Sequence, residues 1–412
     1  MRSVGRRAAA VVAAPLLMGL VGLVAGCGAT ESHTRTMARA LPADAEFTHP
    51  GVLVSRGQLD TVRKNVNAGK QPWLKAFLGM RDSKYGSYKY KPEPYASVDC
   101  PGGDHTDRPA QGCVEEREDA IAAYTQALLY TVTGHRQHAD KAIEIMDAWS
   151  ARMKRHTEED AGLQTAWSGS TWARAAEIVR YAPGAKWPEA RVERFGTMLR
   201  TAYLPTVAAP VPDYNGNWDL AMTDAAIGIA VFLDDHKAFD AALKRFRARV
   251  PAYFYVAKDG AVPVAPAGSS VDTPAELTAY WFKQASYRDG VAQESCRNLK
   301  HVGYSLAASS HIAETAWHQG VDLYKEVGDR LTAAAELHSR LQLGEAAPSW
   351  LCGGKVDRNM GPDLEVLVNH MENRLHKPLP AAHRLTAQHR PNGTDDLFVS
   401  WETLTHADNP AN

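Results

Sequence analysis

The sequence predicts an all-α protein, an α/α toroid built as an incomplete barrel of helical hairpins with few short strands, and three observations carry that reading. Apolar residues recur at three- and four-residue steps through most of the chain, the period of a helix with one buried face. Short breaks rich in Gly, Pro and Asp separate these runs, and short breaks between amphipathic helices favour antiparallel hairpins. No repeat of fixed length recurs, which argues against a TPR-like or ankyrin-like array and for hairpins that curve into a toroid.

The elements follow in order. Ile121, Tyr124, Leu128 and Val132 form one apolar stripe, which Gly134 ends. Ala139, Ile143, Met146 and Met153 form the next, and Trp172, Ala176 and Val179 run to Pro183-Gly184. Val192, Phe195, Leu199 and Ala202 run to Pro205. Met222, Ala225, Ile229 and Phe232 stop at Asp234-Asp235, and Phe239, Leu243, Phe246 and Val250 stop at Pro251. Further helices are expected over 291–315, 317–342 and 362–375, with strands only around 253–264 and 394–405. Two long polar segments, 84–115 and 257–288, interrupt the pattern; loops of that length inside a domain often act as lids.

Arg2, Arg6 and Arg7 precede an apolar stretch over 8–24 that is too short for a comfortable membrane span. It ends in Val24-Ala25-Gly26-Cys27, the small-residue pattern of a bacterial lipoprotein signal. Residues 1–27 are therefore expected to be an export signal with lipidation at Cys27. Residues 28–46 read as a polar tether with little to bury, and 47–412 as a single α/α-toroid domain. The expected location is outside the cell membrane, on its extracellular face through a lipid anchor, or secreted. A formal net charge of -1 argues against a nucleic-acid partner. It leaves room for an acidic substrate, since only a cleft needs positive charge. Beyond Cys27 four cysteines remain, and outside the cell an even number suggests two disulfides. Of the three pairings, Cys100–Cys113, closing a short loop, with Cys296–Cys352, joining distant segments, is favoured. Their spacing does not resemble a zinc site.

Two stretches hold side chains suited to chemistry. With 291–315 read as one helix, Arg297, His301 and Tyr304 stand at i, i+4 and i+7 on one face, while Leu299, Val302 and Leu306 pack inward. The run Asp213-Tyr214-Asn215-Gly216-Asn217-Trp218-Asp219 opens another helix, with Asn215 or Asn217 as its N-cap, at an end that favours anions. An amide and a guanidinium can quiet a uronate carboxylate and so stabilise the charge that develops as the neighbouring carbon loses its proton. An imidazole or a phenol can move that proton. A phenol titrates at about 10, and a guanidinium beside it favours the phenolate. Asn217, Arg297, His301 and Tyr304 are the candidate catalytic set, and this chemistry calls for no metal and no cofactor. A solvated helix face and an ordinary cap would explain the same residues structurally.

Trp167, Trp172, Trp218 and Tyr280 are candidate sugar platforms, although large aromatics at helical spacing more often fill cores. Arg174 is a candidate carboxylate ligand, or else an ion-pair partner of Glu177. Asn215 joins the candidate binding residues, His370 faces either the cleft or the core, and Glu294 orients Arg297. Lys84, Tyr85, Tyr88 and Tyr90 are candidates for a lid.

Several of these segments, taken in order, resemble the alginate lyase superfamily: His49-Pro50-Gly51-Val52-Leu53, Trp167-Ser168-Gly169 to Arg174-Ala175-Ala176-Glu177-Ile178, and Asn215-Gly216-Asn217-Trp218-Asp219. Gln293-Glu294-Ser295-Cys296-Arg297 with His301, Ala316-Trp317-His318-Gln319-Gly320-Val321-Asp322-Leu323-Tyr324, and Asn369-His370 with Asn373-Arg374 continue the resemblance over nearly the whole chain after the tether. Each motif is weakly specific, and their order is what carries it. The branch is similar to polysaccharide lyase family 38, whose members act on glucuronan or alginate, and more distantly to family 5. That resemblance implies metal-independent elimination at a uronate, with an acidic polysaccharide as partner. It also implies an Arg with a Tyr seven residues on, which Arg297 and Tyr304 match. Family 5 has an Asn-His pair where this chain has Asn217-Trp218. The base is then His301, or Tyr304 acting as both base and acid.

Three rivals remain. A glycoside hydrolase would need two carboxylates across the scissile bond, for which Asp219, Asp224 and Glu294 are present. A metal site would use His311, Glu314 and His318 on one helix face. A non-catalytic, carbohydrate-binding lipoprotein would keep the aromatic cleft without the chemistry.

Overall fold

Ser55 opens the first helix with a reciprocal cap: its hydroxyl accepts from the Gln58 amide, and the Gln58 side chain reaches back to the Ser55 amide. This helix, α1 (Arg56–Asn67), and α2 (Trp73–Asp82) lead into a series of helical hairpins in the computed structural model, which describes residues 42, 45–102 and 109–412. The first hairpin is α3 (Cys113–Thr133) with α4 (Arg136–Arg152). Gly134 makes its corner at φ 68, a left-handed backbone that glycine adopts without a Cβ penalty. Next, α5 (Ala161–Tyr181) returns through α6 (Glu189–Met198), a π-helical turn over Leu199–Tyr203, and α7 (Leu204–Ala208). Then α8 (Gly216–Phe232) returns through α9 (His236–Arg249), whose N-terminus Asp235 caps at the Ala238 amide. After the short α10 (Pro274–Tyr280), α11 (Leu299–His318) returns through α12 (Leu323–Gln342). The short helices α13 (Glu365–Val368), α14 (Pro380–His389) and α15 (Glu402–His406) complete the chain.

Helices α3, α5, α8 and α11 pack side by side in that order, and α4, α9 and α12 back them from outside. Between α11 and α3 the arc is bridged by α13, α15 and α1, so the architecture is an incomplete α/α toroid. Every residue of α8 except Trp218 is buried, as a helix enclosed on all sides requires. Trp149, Trp172, Phe195 and Phe232 form a chain of ring contacts, at centroid spacings of 6.1, 6.1 and 5.9 Å, that ties α4, α5, α6 and α8 together. Such ring pairs add about 0.5–1.5 kcal/mol each beyond their buried area. The described residues form one compact unit.

Because each inner helix returns through an outer one, the four inner helices run in the same direction. Their N-termini meet at one end: Gln164 of α5 donates to Glu116 of α3 at 2.6 Å, and Asn217 of α8 reaches Glu294 just before α11. At the other end, Arg180 of α5 donates to the Phe232 carbonyl that closes α8. Four positive helix-dipole ends therefore converge on one mouth, a field that favours anions.

The structure differs from expectation in four places. The helix expected from residue 291 starts at Leu299, because Asn298 breaks it with an extended backbone and a side chain that caps the His301 amide. The expected 317–342 helix is split, since α11 runs on to His318 and the chain turns at Gly320 before Asp322 caps α12. The expected 362–375 helix is α-helical only over Glu365–Val368 and π-helical over Asn369–Arg374. The expected strands reduce to single bridges, Phe254 with Ala292 and Thr394 with Ser400. The strands that form, β1 (Ser97–Asp99) and β2 (Arg155–Thr157), pair in parallel. They are too short for an alternating pattern to announce them. Both favoured disulfides are present, Cys100–Cys113 and Cys296–Cys352. The expected export signal over 1–27 with Cys27, and most of the tether over 28–46, lie outside the described residues. Among the described residues no helix is long and apolar enough to cross a membrane.

Candidate active site

Glu294 organises the mouth of the toroid. Its side chain is wholly buried, and it accepts from Asn217 Nδ2 at 2.9 and 2.8 Å, from the Tyr253 hydroxyl at 2.9 Å, and from Arg297 Nη1 at 2.6 Å. The turn that carries it is fixed on three sides. Ser295 Oγ bonds His338 Nε2 at 2.7 Å and receives the Ala292 amide, Cys296 is bridged to Cys352, and the Leu299 amide donates to the Asp357 carbonyl. Arg297, at 33 % exposure, keeps further N–H donors for a ligand, whereas Asn217 is only 5 % exposed at the mouth of α8.

Arg297 does not share a helix face with His301 and Tyr304. It precedes the cap residue Asn298, so the i, i+4, i+7 reading fails for the arginine; the two aromatic side chains do lie on the first turns of α11. The Asn298 cap has a chemical consequence. Its Oδ1 accepts from the His301 backbone amide at 3.1 Å, which identifies that atom as oxygen, and the same oxygen lies 2.7 Å from His301 Nδ1. Nδ1 therefore carries the ring proton and Nε2 has a lone pair. Burial pushes the His301 pKa down to about 4, and Arg297 and Lys300 add to the fall. The imidazole is neutral at pH 7.

Tyr304 stands edge-on to His301, with ring centroids 6.0 Å apart, and edge-on to Phe398 at 5.9 Å. Burial raises its pKa, and Asp395 and Asp363 raise it further. The expected lowering by Arg297 does not occur: the phenol is held protonated. Lys300 Nζ lies over the Tyr304 ring at 5.7 Å.

A second cation escaped the sequence reading. The Arg117 guanidinium lies over the Trp167 ring at 5.7 Å, donates to Gln164 at 2.5 Å, and reaches the Asp396 carbonyl at 3.2 Å. Its partners lie 47 and 279 residues away, so nothing local marks it. Trp167 and Trp218 are half-buried, and Trp218 meets the exposed Tyr214 edge-on at 4.8 Å. Asn215, the backbone N-cap of α8, uses its Oδ1 to receive Gln293 rather than to cap. Tyr280 donates to the Tyr214 carbonyl and receives Arg249 at 2.9 Å. In the expected lid, the Tyr85 and Tyr90 hydroxyls are tied inward to Asp396 and Asp119, and Tyr88 bonds His138.

Other candidates are drawn into the core instead. Arg174, 1 % exposed, donates to the Phe398 carbonyl at 2.6 Å and to Asp224 at 2.8 Å; it neither faces the mouth nor pairs with Glu177, whose partners are His49 and the Gly51 amide. Trp172 is fully buried. His370 is buried, stacked on Tyr324 at 3.6 Å and bonded to Glu314. His311 turns away to Glu402, while Glu314 meets His318 at 3.4 Å and is also taken by Arg374, and no group of three such donors among the described residues is arranged to hold a metal ion. The carboxylates of the hydrolase rival are engaged too: Asp219 with Arg245 and Arg249, Asp224 with Arg174, and Glu294 beneath Asn217 and Arg297.

The family model described as alginate lyase matches residues 83–347. Alginate lyase A1-III from Sphingomonas species A1 has a similar structure, at 18 % identity and a TM-score of 0.60, over 88 % of this chain and 97 % of that one. A histidine-to-alanine variant of A1-III complexed with a tetrasaccharide gives a TM-score of 0.62 at 18 % identity, with the same coverage of 88 % and 97 %. An alginate lyase from Bacteroides ovatus gives 0.54 at 13 % identity, over 87 % of this chain and 100 % of that one. At these identities the likeness shows the shared fold. No curated protein matches the chain in sequence.

Proposed function

The chain belongs to the alginate lyase family and is a polysaccharide lyase, and from that premise we propose that it cleaves a uronic-acid-containing polymer, glucuronan or alginate-like, by β-elimination with charge neutralisation from Asn217 and Arg297 rather than from a metal. The observation that carries this reading is the shared carboxylate: Glu294 holds Asn217 and Arg297 together, beside a neutral imidazole with a free lone pair and a protonated phenol.

In this reading the substrate carboxylate takes the remaining donors of Arg297 with Asn217, in the field of four helix N-termini. Its charge is thereby offset as the C5 proton becomes acidic. His301 Nε2 removes that proton, and the C5–H electron pair forms the C4–C5 double bond. The C4–O4 bond breaks as Tyr304 delivers its proton to O4. The products are an unsaturated uronate and a free hydroxyl end; proton return from imidazolium to phenolate, directly or through water, resets the site. Arg117 on Trp167, with Trp218 and Tyr214, supplies cationic and aromatic surface along the mouth for neighbouring sugars. Two disulfides fit an oxidising compartment, which supports export, as a lipoprotein through Cys27 or as a secreted protein.

Digestion of glucuronan and alginate, followed by ultraviolet absorbance of the conjugated product and by reducing-end assay, tests the proposal. A lyase raises both signals together. Reducing ends without absorbance would indicate hydrolysis, and binding without either would indicate a carbohydrate-binding protein.

A further inference from the structure

The loop over 394–400 touches more of the mouth than any motif in the sequence suggests. Asp395 Oδ1 accepts three successive amides, Leu397 at 2.9, Phe398 at 2.9 and Val399 at 3.0 Å, while its own amide donates to the Val399 carbonyl. The Asp396 carbonyl receives Arg117, and the Phe398 carbonyl receives Arg174. Phe398, 1 % exposed, then presents its ring edge-on to Tyr304 at 5.9 Å and to His311 at 5.7 Å. No residue donates a hydrogen bond to the Tyr304 hydroxyl among the described residues, so the ring contacts of Phe398 and His301 and the α11 backbone hold the phenol in place.

We propose that Asp395 is a positioning residue for the elimination: by gathering three amides it fixes the Phe398 ring, and the ring fixes where the Tyr304 phenol stands. This rests on the assignment of Tyr304 as the acid. The carboxylate itself is buried and does not meet substrate. Around it stand Asp363 on the segment before α13, Glu402 on α15, Arg117 on α3 and Tyr304 on α11.

Displacing a reacting group by about 1 Å can cost about 100-fold in rate. Asp395→Ala is therefore expected to lower kcat by about 10- to 100-fold with KM within about twofold. Asp395→Asn, which keeps an acceptor oxygen, should restore most of that loss. Phe398→Leu should reproduce it, and the double variant Asp395→Ala/Phe398→Leu should be no slower than the worse single one, because both act through one ring. Circular dichroism reports folding of each variant. A folded Asp395→Ala with wild-type kcat, an Asn variant as slow as Ala, or strictly multiplicative losses would overturn the proposal. Should Asp395→Ala fail to fold, Phe398→Leu decides, and normal kcat there is the contrary result. Tyr304→Phe, assayed alongside, separates the two claims: activity retained in it refutes the acid assignment itself.

Discussion

Asn217 and Arg297, eighty residues apart in sequence, donate to the same buried carboxylate, Glu294, at 2.8–2.9 and 2.6 Å. A fold that brings an amide from one inner helix and a guanidinium from the turn before the next onto one acceptor fixes the spacing between them. In the proposed reaction Glu294 positions both groups, and its removal should act on both partners at once.

Glu294→Ala leaves the Asn217 amide without its acceptor, at about 1–3 kcal/mol, and the Tyr253 hydroxyl with only the long contact to the His301 carbonyl at 3.4 Å. A lower melting temperature and at least a tenfold loss of kcat/KM are expected, roughly 1.4 kcal/mol in barrier. Glu294→Gln, which retains one acceptor oxygen, should lie between. Thermal unfolding with steady-state kinetics checks both.

The pH profile should carry the mark of His301. Its pKa is held down near 4 by burial, with Arg297 and Lys300 assisting, so the acid limb of kcat/KM should fall well below the ordinary histidine range. Lys300→Ala removes one of those charges and should move the limb to higher pH. The same depression links pH to stability. Between about 4 and 6.5 the unfolded imidazole binds a proton that the folded one does not, so stability is full above 6.5 and falls as pH drops towards 4. His338 and His406, held near 4 by burial, act in the same direction. Urea midpoints measured at pH 7 and pH 5 should show the loss.

The Cys296–Cys352 bridge abuts Arg297 and is half-exposed. Replacing both cysteines by serine should cost about 2–4 kcal/mol of stability. It should also lower activity by more than the loss of Cys100–Cys113, which sits at the start of α3 and far in sequence from the Glu294 turn. Activity assays on the two paired-serine variants compare them.

Gly303 lies on α11 directly before Tyr304, and a Cβ there would overlap the buried Asp363 carboxyl. Gly303→Ala is expected to destabilise by about 1–3 kcal/mol through overpacking and to slow turnover by shifting Tyr304, as melting and kcat measurements would reveal.

The inner helices were legible because burial on a helix writes a period into the chain: Ile121, Tyr124, Leu128 and Val132 are all buried, as their spacing predicts. Both disulfides were also within reach, and Asn217 and Arg297, named from sequence, do meet on Glu294. The detail of the proposed catalytic wall was not. Reading 291–315 as one helix overlooked Asn298, although an Asn three residues before His301 is a cap signal. Arg174 and His370 looked like binding residues because a polar side chain buried against distant partners, Asp224 and Glu314, has the same local sequence as one facing a cleft. Arg117, Tyr253 and Asp395 could not have been found, since each gains its role only from residues the fold brings to it.

The most direct test of the central claim compares a uronate polymer with its carboxyl-methylated form, for the wild-type enzyme and Arg297→Ala. If Arg297 with Asn217 answers the substrate's negative charge, Arg297→Ala should lose about 100-fold in kcat/KM on the free acid and far less on the ester. Equal losses on both polymers, or none on either, would contradict it.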